Sequence, residues 1–356
     1  MGLTLFPKDD LHVWDIDLKN TACRRWCDFS LCHCLDLEDL LKDVVKHFVG
    51  QLDSLPGYIR PLVSAGAKGS ARLGGRLANT IAGMFGQEYV REIRAISECT
   101  RQPLSYVMLG NLIYDLMQMG DQAGVGCSSY SCDIGGKPTL VRNMDWVVPR
   151  STGKFTRVLR FHRGEDHYVS VSVVGCVGIV SAMCPGKWAL TLNQAPTNGT
   201  SPGVFQWPVL QRLRHCCDKM GSYEELVADL QEYRTMTSFF AHVVGTKPDQ
   251  HTVITGLGSE FWQRDREEPC LIQTNHFVGE ELEGRNPPEH WQEGEDWYYN
   301  DSYRRMRALT KRLKDPPKTL VGARRKIMGS PVTTSDTMQQ MVLQPATGYW
   351  KLWVRK

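Results

Sequence analysis

The chain has 356 residues, of which 42% are hydrophobic and 23% are charged, as is typical of globular proteins with an ample core. Its 42 basic residues nearly balance its 39 acidic ones, and the net charge of +3 excludes a strongly basic, nucleic-acid-binding protein. The sequence has no run of the ~20 apolar residues that span a membrane, and its start shows neither the cationic nor the apolar region of a secretory signal.

The N-terminal region predicts a helix next to a cluster of potential metal ligands. Apolar residues at helical spacing run from Leu31 to Phe48, with acidic residues near the start of the run. The cluster has no Cys-x-x-Cys pair and no second ligand pair at zinc-finger distance, so we expect reduced cysteines and neither metal nor cofactor. Its members are Cys23, Cys27, Cys32, His33 and Cys34.

A basic amphipathic pattern follows in residues 68–85. Such a helix either lies on an anionic membrane surface or packs on the core with solvated cations, and both interpretations remain open. A second helical pattern runs from Glu88 to Met119 and is interrupted at Pro103. The basic amphipathic pattern of residues 68–85 is formed by the apolar residues Leu73, Leu77 and Ile81 and the basic residues Lys68, Arg72 and Arg76.

Residues 127–146 predict a β-hairpin. Two runs of alternating apolar and polar residues flank a Gly-Gly pair, which is the signature of a tight turn. If the two glycines form the whole loop, Cys127 lies opposite Met144. Because side chains alternate along a strand, Arg142 shares the face of Cys127, whereas Asp145 points to the other face but can reach the backbone nitrogen of Cys127.

This hairpin raises the hypothesis of an N-terminal nucleophile. If the bond between Gly126 and Cys127 is cut, Cys127 gains an α-amine, a group whose ordinary pKa is ~8 and which suits general base catalysis near neutral pH. The thiol then attacks an acyl carbon while the neighbouring amine takes its proton. The alternative is an ordinary buried cysteine of a hairpin, which is the commonest state of a free cysteine.

Beyond the hairpin, the apolar pattern changes to a period of two. Short predicted strands separated by turns alternate with helical segments, which indicates two sheets sandwiched between helices. The predicted strands are residues 156–162, 167–174, 178–182, 188–192, 239–246, 251–255 and 271–277, the predicted helices are residues 212–233 and 302–313, and residues 332–353 are predicted to form a helix followed by a strand.

The Cys-Ser-Ser of residues 127–129 and the Arg-Asn-Met-Asp of residues 142–145 resemble the acid ceramidase and N-acylethanolamine acid amidase family, within the cholylglycine-hydrolase-like cysteine amidases. Further matches in the family's order extend the resemblance from about Glu88 to Arg305. They are Glu92-Ile93-Arg94, Leu109-Gly110-Asn111, Gly175-Cys176-Val177-Gly178, Leu190-Thr191-Leu192-Asn193, Val243-Val244-Gly245-Thr246, Gln273-Thr274-Asn275 and Arg304-Arg305.

The resemblance implies a fold and a division of the chain. The fold is α+β, the four-layer αββα sandwich of N-terminal-nucleophile hydrolases with an N-terminal helical segment. Residues 1–126 correspond to a helical α-subunit or propeptide-like region, and residues 127–356 to the αββα catalytic β-subunit. We expect the two subunits to remain associated after cleavage between Gly126 and Cys127.

The resemblance also implies roles for six residues. Cys127 is the nucleophile, with its freed amine as the base, and Asp145 holds that amine. Arg142 favours the thiolate. Side-chain amides provide donors for the oxyanion, and an arginine corresponds to the second active-site arginine of the family. The amide donors are Asn193 and Asn275, and the second active-site arginine is Arg304.

The function that follows is an autoprocessed cysteine amidase that hydrolyses linear fatty-acyl amides, of the N-acylethanolamine or ceramide type, through a thioester at Cys127. Gln194 stands where the family commonly has a glutamate linked to acid-dependent self-cleavage, so we do not expect activity to be confined to acidic pH. One alternative is an acyltransferase that passes the acyl group to an amine acceptor. Another is an uncleaved, non-catalytic lipid-binding relative.

The location is predicted from the cysteine content and the resemblance. Twelve cysteines without a visible signal favour a reducing, cytoplasmic compartment. The resemblance implies a lysosomal or secreted protein if the chain is a processed form.

Overall fold

The computed structural model describes residues 5–7, 12–50, 60, 64, 86–119, 125–146, 150–195, 206–286 and 297–355. The predicted membrane-surface segment, residues 68–85, lies outside these residues.

Residues before the hairpin contribute both helices and strands. Strands β1 (Leu5–Pro7) and β2 (Val13–Asp17) come first. The helices are α1 (Ala22–Cys32), α2 (Cys34–Gly50), α3 (Gln87–Thr100), α4 (Leu104–Asn111) and α5 (Ile113–Met119). The helical pattern from Glu88 to Met119 and its interruption at Pro103 are thus confirmed.

The rest of the chain supplies most of the strands. They are β3 (Val125–Ile134), β4 (Lys137–Trp146), β5 (Thr156–Arg163), β6 (Asp166–Val173), β7 (Ser181–Cys184), β8 (Trp188–Gln194), β9 (Phe239–Val244), β10 (His251–Leu257), β11 (Glu260–Asp265), β12 (Cys270–Gln273), β13 (Thr337–Gln344) and β14 (Tyr349–Arg355). The helices are α6 (Val209–Asp218), α7 (Tyr223–Leu230), α8 (Glu280–Glu283), α9 (Trp297–Leu313) and α10 (Leu320–Ile327).

The strands form two sheets that pack face to face. One sheet has six strands in the order β1-β14-β13-β4-β3-β12, and the other has eight in the order β11-β10-β9-β8-β7-β6-β5-β2. All neighbours are antiparallel except β2 and β5, which are parallel. Apolar side chains of both sheets form a shared core, which buries the inner faces from water. This core includes Leu140, Val158, Met183, Val244 and Met341.

Helices cover the outer faces of both sheets. Leu309 of α9 and Ile327 of α10 pack in one cluster with Tyr130 and Val342 of the six-stranded sheet. The N-terminal helices and α6 share a larger cluster with the eight-stranded sheet, in which Trp26 lies close to Phe161. The order of layers is therefore helix, sheet, sheet, helix, and the predicted αββα sandwich is confirmed.

The N-terminal region is not purely helical, which corrects the prediction for residues 1–126. Strand β1 pairs antiparallel with β14 at the edge of one sheet, and β2 pairs parallel with β5 at the edge of the other. The region is therefore joined to both sheets through backbone hydrogen bonds. These short edge strands show no clear alternation of apolar and polar residues, and the burial of β2 is correspondingly uneven, with Ile16 as its one fully buried residue.

Three boundaries differ from the prediction for local physical reasons. The helix predicted over residues 212–233 is two helices, because Ser222 starts α7 with a capping box. Residues 337–355 form the hairpin of β13 and β14 rather than a helix and a strand, and its turn at Gly348 has a φ of +67°. Strand β12 ends at Gln273, so Asn275 lies beyond the strand.

The central hairpin has the predicted register. Cys127 pairs with Met144 and Ile134 with Lys137, which leaves a two-residue loop. Gly135 and Gly136 have φ values of +62° and +71°. Positive φ at both central residues is the requirement of the turn that best fits a twisted hairpin, and glycine meets it without strain.

Candidate active site

Cys127 lies on β3 with its side chain fully buried, at 0% exposure. Its sulfur accepts a hydrogen bond from Nη2 of Arg142 at 3.4 Å. The hairpin register explains this contact, because Arg142 lies two residues from the partner of Cys127 and on the same face of the sheet. The predicted proximity of the thiol and this cation is confirmed.

The guanidinium of Arg142 connects the two sheets. It donates to the carbonyl oxygens of Leu192 at 2.7 Å and Val180 at 3.1 Å, and also to the hydroxyl of Ser181. Within the described part of the chain, no carboxylate lies within ion-pair distance of Arg142. Its positive charge is therefore available to stabilise a thiolate on Cys127.

The backbone of Cys127 is held by Asn275 and Arg305. The N–H of Cys127 donates to Oδ1 of Asn275 at 2.8 Å. Arg305 donates to the same Oδ1 at 2.9 Å and to the hydroxyl of Ser128 at 2.9 Å, and it also binds the carbonyl oxygen of Cys127. The peptide groups on both sides of Cys127 are thus fixed by side chains from distant parts of the sequence.

The arginine at this site is Arg305, which corrects the prediction of Arg304. Arg304 is exposed, whereas Arg305 has 0% exposure and forms an ion pair with Asp301 at 2.6 Å. Successive residues of an α-helix point about 100° apart, so only one of two adjacent arginines on α9 can face the sheet. The match to Arg304-Arg305 indicated where the site lies in the sequence, but not which of the two arginines contacts Cys127.

Asp145 lies beside Gly126, the residue before the predicted cleavage bond. The two are directly opposed in the hairpin, and Oδ2 of Asp145 is 3.5 Å from the position that a Cβ on Gly126 would occupy. Thr337 donates a hydrogen bond to the other carboxylate oxygen. Burial raises the pKa of Asp145 to about 7, although the charge of Arg305 opposes this rise. In the uncut chain, the nitrogen of Cys127 donates to Asn275. That Asp145 holds the amine after cleavage stays a prediction.

Asn193 and Asn275 have different surroundings. The Nδ2 of Asn193 donates to the carbonyl oxygens of Gln273 at 2.9 Å and Thr274 at 3.2 Å, which fixes the segment before Asn275. The Nδ2 of Asn275 donates to the carbonyl oxygen of Gln194 at 2.9 Å. Asn193 therefore positions the segment that carries Asn275, and Asn275 makes the direct contact with Cys127.

A cluster of small polar residues that the sequence analysis missed holds Asn275. The N–H of Asn275 donates to the hydroxyl of Ser302 at 2.8 Å, and this hydroxyl also lies 3.0 Å from Oγ1 of Thr274 and 2.8 Å from Nδ1 of His276. Burial and the charge of Arg305 lower the pKa of His276 to about 3, so its imidazole is neutral near neutral pH. In the sequence, the one indication that Ser302 contributes to the site is its position close to Arg304-Arg305.

A chain of buried hydrogen bonds extends along β3 from Ser129, which is the next residue after Cys127 on the same face of the sheet. Ser129 Oγ lies 3.0 Å from Nδ1 of His242, whose Nε2 lies 2.9 Å from Ser131 Oγ. Ser131 Oγ lies 2.8 Å from Nδ1 of His251, whose Nε2 lies 3.0 Å from Asp133. Burial lowers the pKa of both histidines, that of His251 to about 4. Isolated histidines within apolar strands gave no signal for this contact.

The described residues contain no group of three histidine, cysteine or carboxylate side chains that could hold a metal ion. They also contain no helix that is both long and apolar enough to cross a membrane.

The sequence of the chain is similar to the sequences of several acid ceramidases. The chain is 26% identical over 199 residues to acid ceramidase of Heterocephalus glaber, which covers 49% of each chain. It is 26% identical over 261 residues to acid ceramidase of Balaenoptera acutorostrata scammoni, which covers 68% of this chain and 62% of that one. With human acid ceramidase the identity is 24% over 281 residues, or 72% of this chain and 64% of that one. The alignments thus span less than two thirds of these relatives.

A solved structure has the same fold. The N-acylethanolamine-hydrolyzing acid amidase ortholog of Caenorhabditis elegans superposes with a TM-score of 0.50 and 16% identity, over 64% of this chain and 99% of that one. No protein-family model matches the chain. The resemblance predicted from the sequence is confirmed by the acid ceramidase alignments and by this fold.

The burial of Arg305 leads to a stability prediction with a neighbouring control. Replacing Arg305 by Ala removes the donor to the buried carbonyl oxygen of Cys127 and the ion-pair partner of Asp301, and we expect it to lower the free energy of unfolding by about 3 kcal/mol. Replacing the exposed Arg304 by Ala changes it by less than about 0.5 kcal/mol. Urea unfolding of both variants measures the difference, and equal losses would show that Arg305 does not hold the site.

The pKa of His251 leads to a prediction on pH. Its folded-state pKa of about 4 is below its ordinary value of 6.5, so the unfolded chain binds the extra proton first and stability falls as the pH drops from 6.5 to 4. We expect a loss of up to about 3 kcal/mol from this group. Asp115 and Asp145, both with a pKa raised to about 7, contribute with the opposite sign.

A difference experiment isolates the histidine from these carboxylates. The free energy of unfolding of the wild type is compared with that of His251→Gln from neutral to acidic pH, because the contributions of Asp115 and Asp145 cancel. We expect the wild type to lose stability relative to the variant as the pH falls. Parallel pH profiles would contradict a neutral, buried His251.

Proposed function

Because the chain is related to the acid ceramidase and N-acylethanolamine acid amidase family, we propose that it is an autoprocessed cysteine amidase that hydrolyses linear fatty-acyl amides. The observation that carries the proposal is the environment of Cys127. Arg142, which has no carboxylate partner among the described residues, contacts its sulfur, and an amide oxygen accepts a hydrogen bond from its nitrogen. One residue is thereby arranged to act as nucleophile and, once cleaved, as base.

The first step in this proposal is cleavage of the chain before Cys127. The sulfur attacks the carbonyl carbon of Gly126, the peptide bond breaks as the nitrogen takes a proton, and water hydrolyses the resulting thioester. Asp145 lies beside Gly126, and a pKa of about 7 allows its carboxyl group to give or take a proton near neutral pH. A side chain on Gly126 would lie 3.3 Å from Cβ of Asp145, so glycine allows this close approach.

The second step is attack on the substrate. The freed amine, held by Oδ1 of Asn275, takes the proton of the thiol, and Arg142 stabilises the thiolate. The sulfur then adds to the acyl carbon, the amine product leaves with a proton, and water hydrolyses the thioester with the amine of Cys127 as base. Asn275 is the candidate donor to the oxyanion, with Asn193 and Ser302 as positioning residues.

The class of substrate in this proposal follows from the proteins that the chain resembles, which are acid ceramidases and an N-acylethanolamine-hydrolyzing acid amidase. The apolar cavity between α2, α4 and the end of β4 has a volume of only about 30 Å³, which is too small for an acyl chain, and it carries no part of the proposal.

A buried ion network supports continued association of the two parts after cleavage. Glu92 of α3 has no exposed surface, and it contacts Arg25 of α1 and Arg214 of α6. Arg214 lies after the cleavage bond, and its Nη1 also donates to the carbonyl oxygen of Val177 at 2.8 Å. Separation of the parts would break the ion pair between Glu92 and Arg214 and would expose the apolar core that the N-terminal helices share with the eight-stranded sheet.

One observation favours a non-catalytic alternative. The thiol of Cys127 has 0% exposure in the uncut chain, so no substrate can reach it in this state. Under our proposal, cleavage frees the amine and detaches Gly126 from the residue that carries the thiol. In the alternative, the chain stays uncut and binds a lipid without turnover.

Processing is the test that separates these functions. We expect intact mass spectrometry of the purified wild type, incubated from acidic to neutral pH, to find a fragment that begins at Cys127, whereas Cys127→Ala stays whole. Asp145→Asn should slow cleavage by roughly 100-fold or more, because a general acid–base group is lost. Asp166→Asn, at an exposed position on β6 outside the site, should cleave at the wild-type rate. A wild type that stays whole and hydrolyses no acyl amide would favour the lipid-binding alternative.

A further inference from the structure

Two cysteines outside the candidate active site face each other across β3 and β12. Cys132 and Cys270 are directly opposed in antiparallel register, and their thiols form a hydrogen bond. Directly opposed residues of antiparallel strands have Cα atoms about 4.5 to 5.5 Å apart. Disulfides span Cα separations of about 4.4 to 6.8 Å, so these two sulfurs can join without moving the backbone.

The two thiols differ in access. Cys132 is fully buried, whereas Cys270 is partly exposed at the start of β12. A small oxidant can therefore reach Cys270 from solvent while Cys132 is shielded from it. This asymmetry is the usual arrangement of a peroxide-reactive cysteine beside a resolving cysteine.

The charges around the pair also favour Cys270 as the ionised partner. The hydrogen bond from Cys132 lowers the pKa of Cys270, as do the positive charges of Arg266 and Lys326, against the effects of burial and Asp133. The same hydrogen bond, together with burial, raises the pKa of Cys132. At Cys184, by contrast, burial raises the pKa of the thiol to about 11. Since the thiolate is the reactive form, Cys270 is the more reactive member of the pair.

From this geometry we propose that Cys270 and Cys132 form a redox modification site, at which a hydroperoxide converts the two thiols into a disulfide between β3 and β12. The thiolate of Cys270 attacks the terminal oxygen of the hydroperoxide, the O–O bond breaks, and the alcohol or water leaves with a proton. The sulfur of Cys132 then attacks the sulfenic acid on Cys270, and water leaves with the proton of Cys132. Two thiols are oxidised and one hydroperoxide is reduced.

The disulfide would join the two strands that carry the candidate active site. Strand β3 bears Cys127, and β12 ends shortly before Asn275. Because opposed residues are joined, the strands keep their register. The test reads the covalent state of the chain and not amide hydrolysis, so its outcome is independent of the proposed function.

The experiment maps disulfides in the full chain. The protein is treated with hydrogen peroxide while folded, its free thiols are then alkylated in denaturant, and it is digested without reduction for mass spectrometry. We expect a peptide pair joined through Cys132 and Cys270, lighter by two hydrogen atoms and separated by dithiothreitol. Cys184→Ser, which removes another buried thiol, should leave the yield of this pair unchanged.

Two variants test the order of the steps. In Cys132→Ser, the sulfenic acid on Cys270 persists and dimedone traps it. In Cys270→Ser, Cys132 stays free and is alkylated. If both cysteines of the wild type stay free while peroxide oxidises the exposed Cys23 or Cys32, or if Cys270 joins a different cysteine, the proposal is wrong.

Discussion

The candidate site depends on two buried guanidinium groups that lie on opposite faces of β3. Burying an ion costs several kcal/mol unless its hydrogen bonds are satisfied, so each arginine fixes the groups around it. Arg142 joins the thiol of Cys127 to the carbonyl oxygens of Leu192 in β8 and of Val180 just before β7. Arg305 draws together the carbonyl oxygen of Cys127 and the side chain of Asn275. The two arginines together hold the sulfur and the backbone of Cys127 in position while the chain is still uncut.

The opposite faces of β3 also separate the chemistry into two parts. The inner face carries the thiol and Arg142, and the hydrogen-bonded chain through His242 and His251 continues along it toward Asp133. The outer face carries Asp145 and Arg305 beside Gly126, where the proposed cleavage takes place. One strand can contribute to both the nucleophile on the inner face and the cleavage on the outer face, because its side chains alternate between the two faces. The peptide group of Cys127 lies between the two faces. The neutral state of the buried histidines makes the inner face sensitive to acid.

Local rules predicted the hairpin but not its long-range partners. The Gly-Gly turn fixes the register, and the register alone places Arg142 beside Cys127. The choice between Arg304 and Arg305 needed the phase of α9, which adjacent identical residues do not reveal. Asn193 and Asn275 both matched the family pattern, but only the end of β12 at Gln273 brings Asn275 to the nitrogen of Cys127. The histidines of β9 and β10 meet β3 through packing of the two sheets, and no spacing in the sequence records such a contact.

We propose that Cys127 becomes an N-terminal nucleophile that carries the acyl group of its substrate. The direct measurement is the intact mass of the C-terminal fragment after brief incubation with acyl amides of the ethanolamine and sphingoid types, followed by an acid quench and peptide mapping. We expect a fragment that starts at Cys127 and carries an acyl group on the sulfur of this residue, from which hydroxylamine releases it. Turnover of these amides by an unbroken polypeptide, or an acyl group on any other residue, would contradict it.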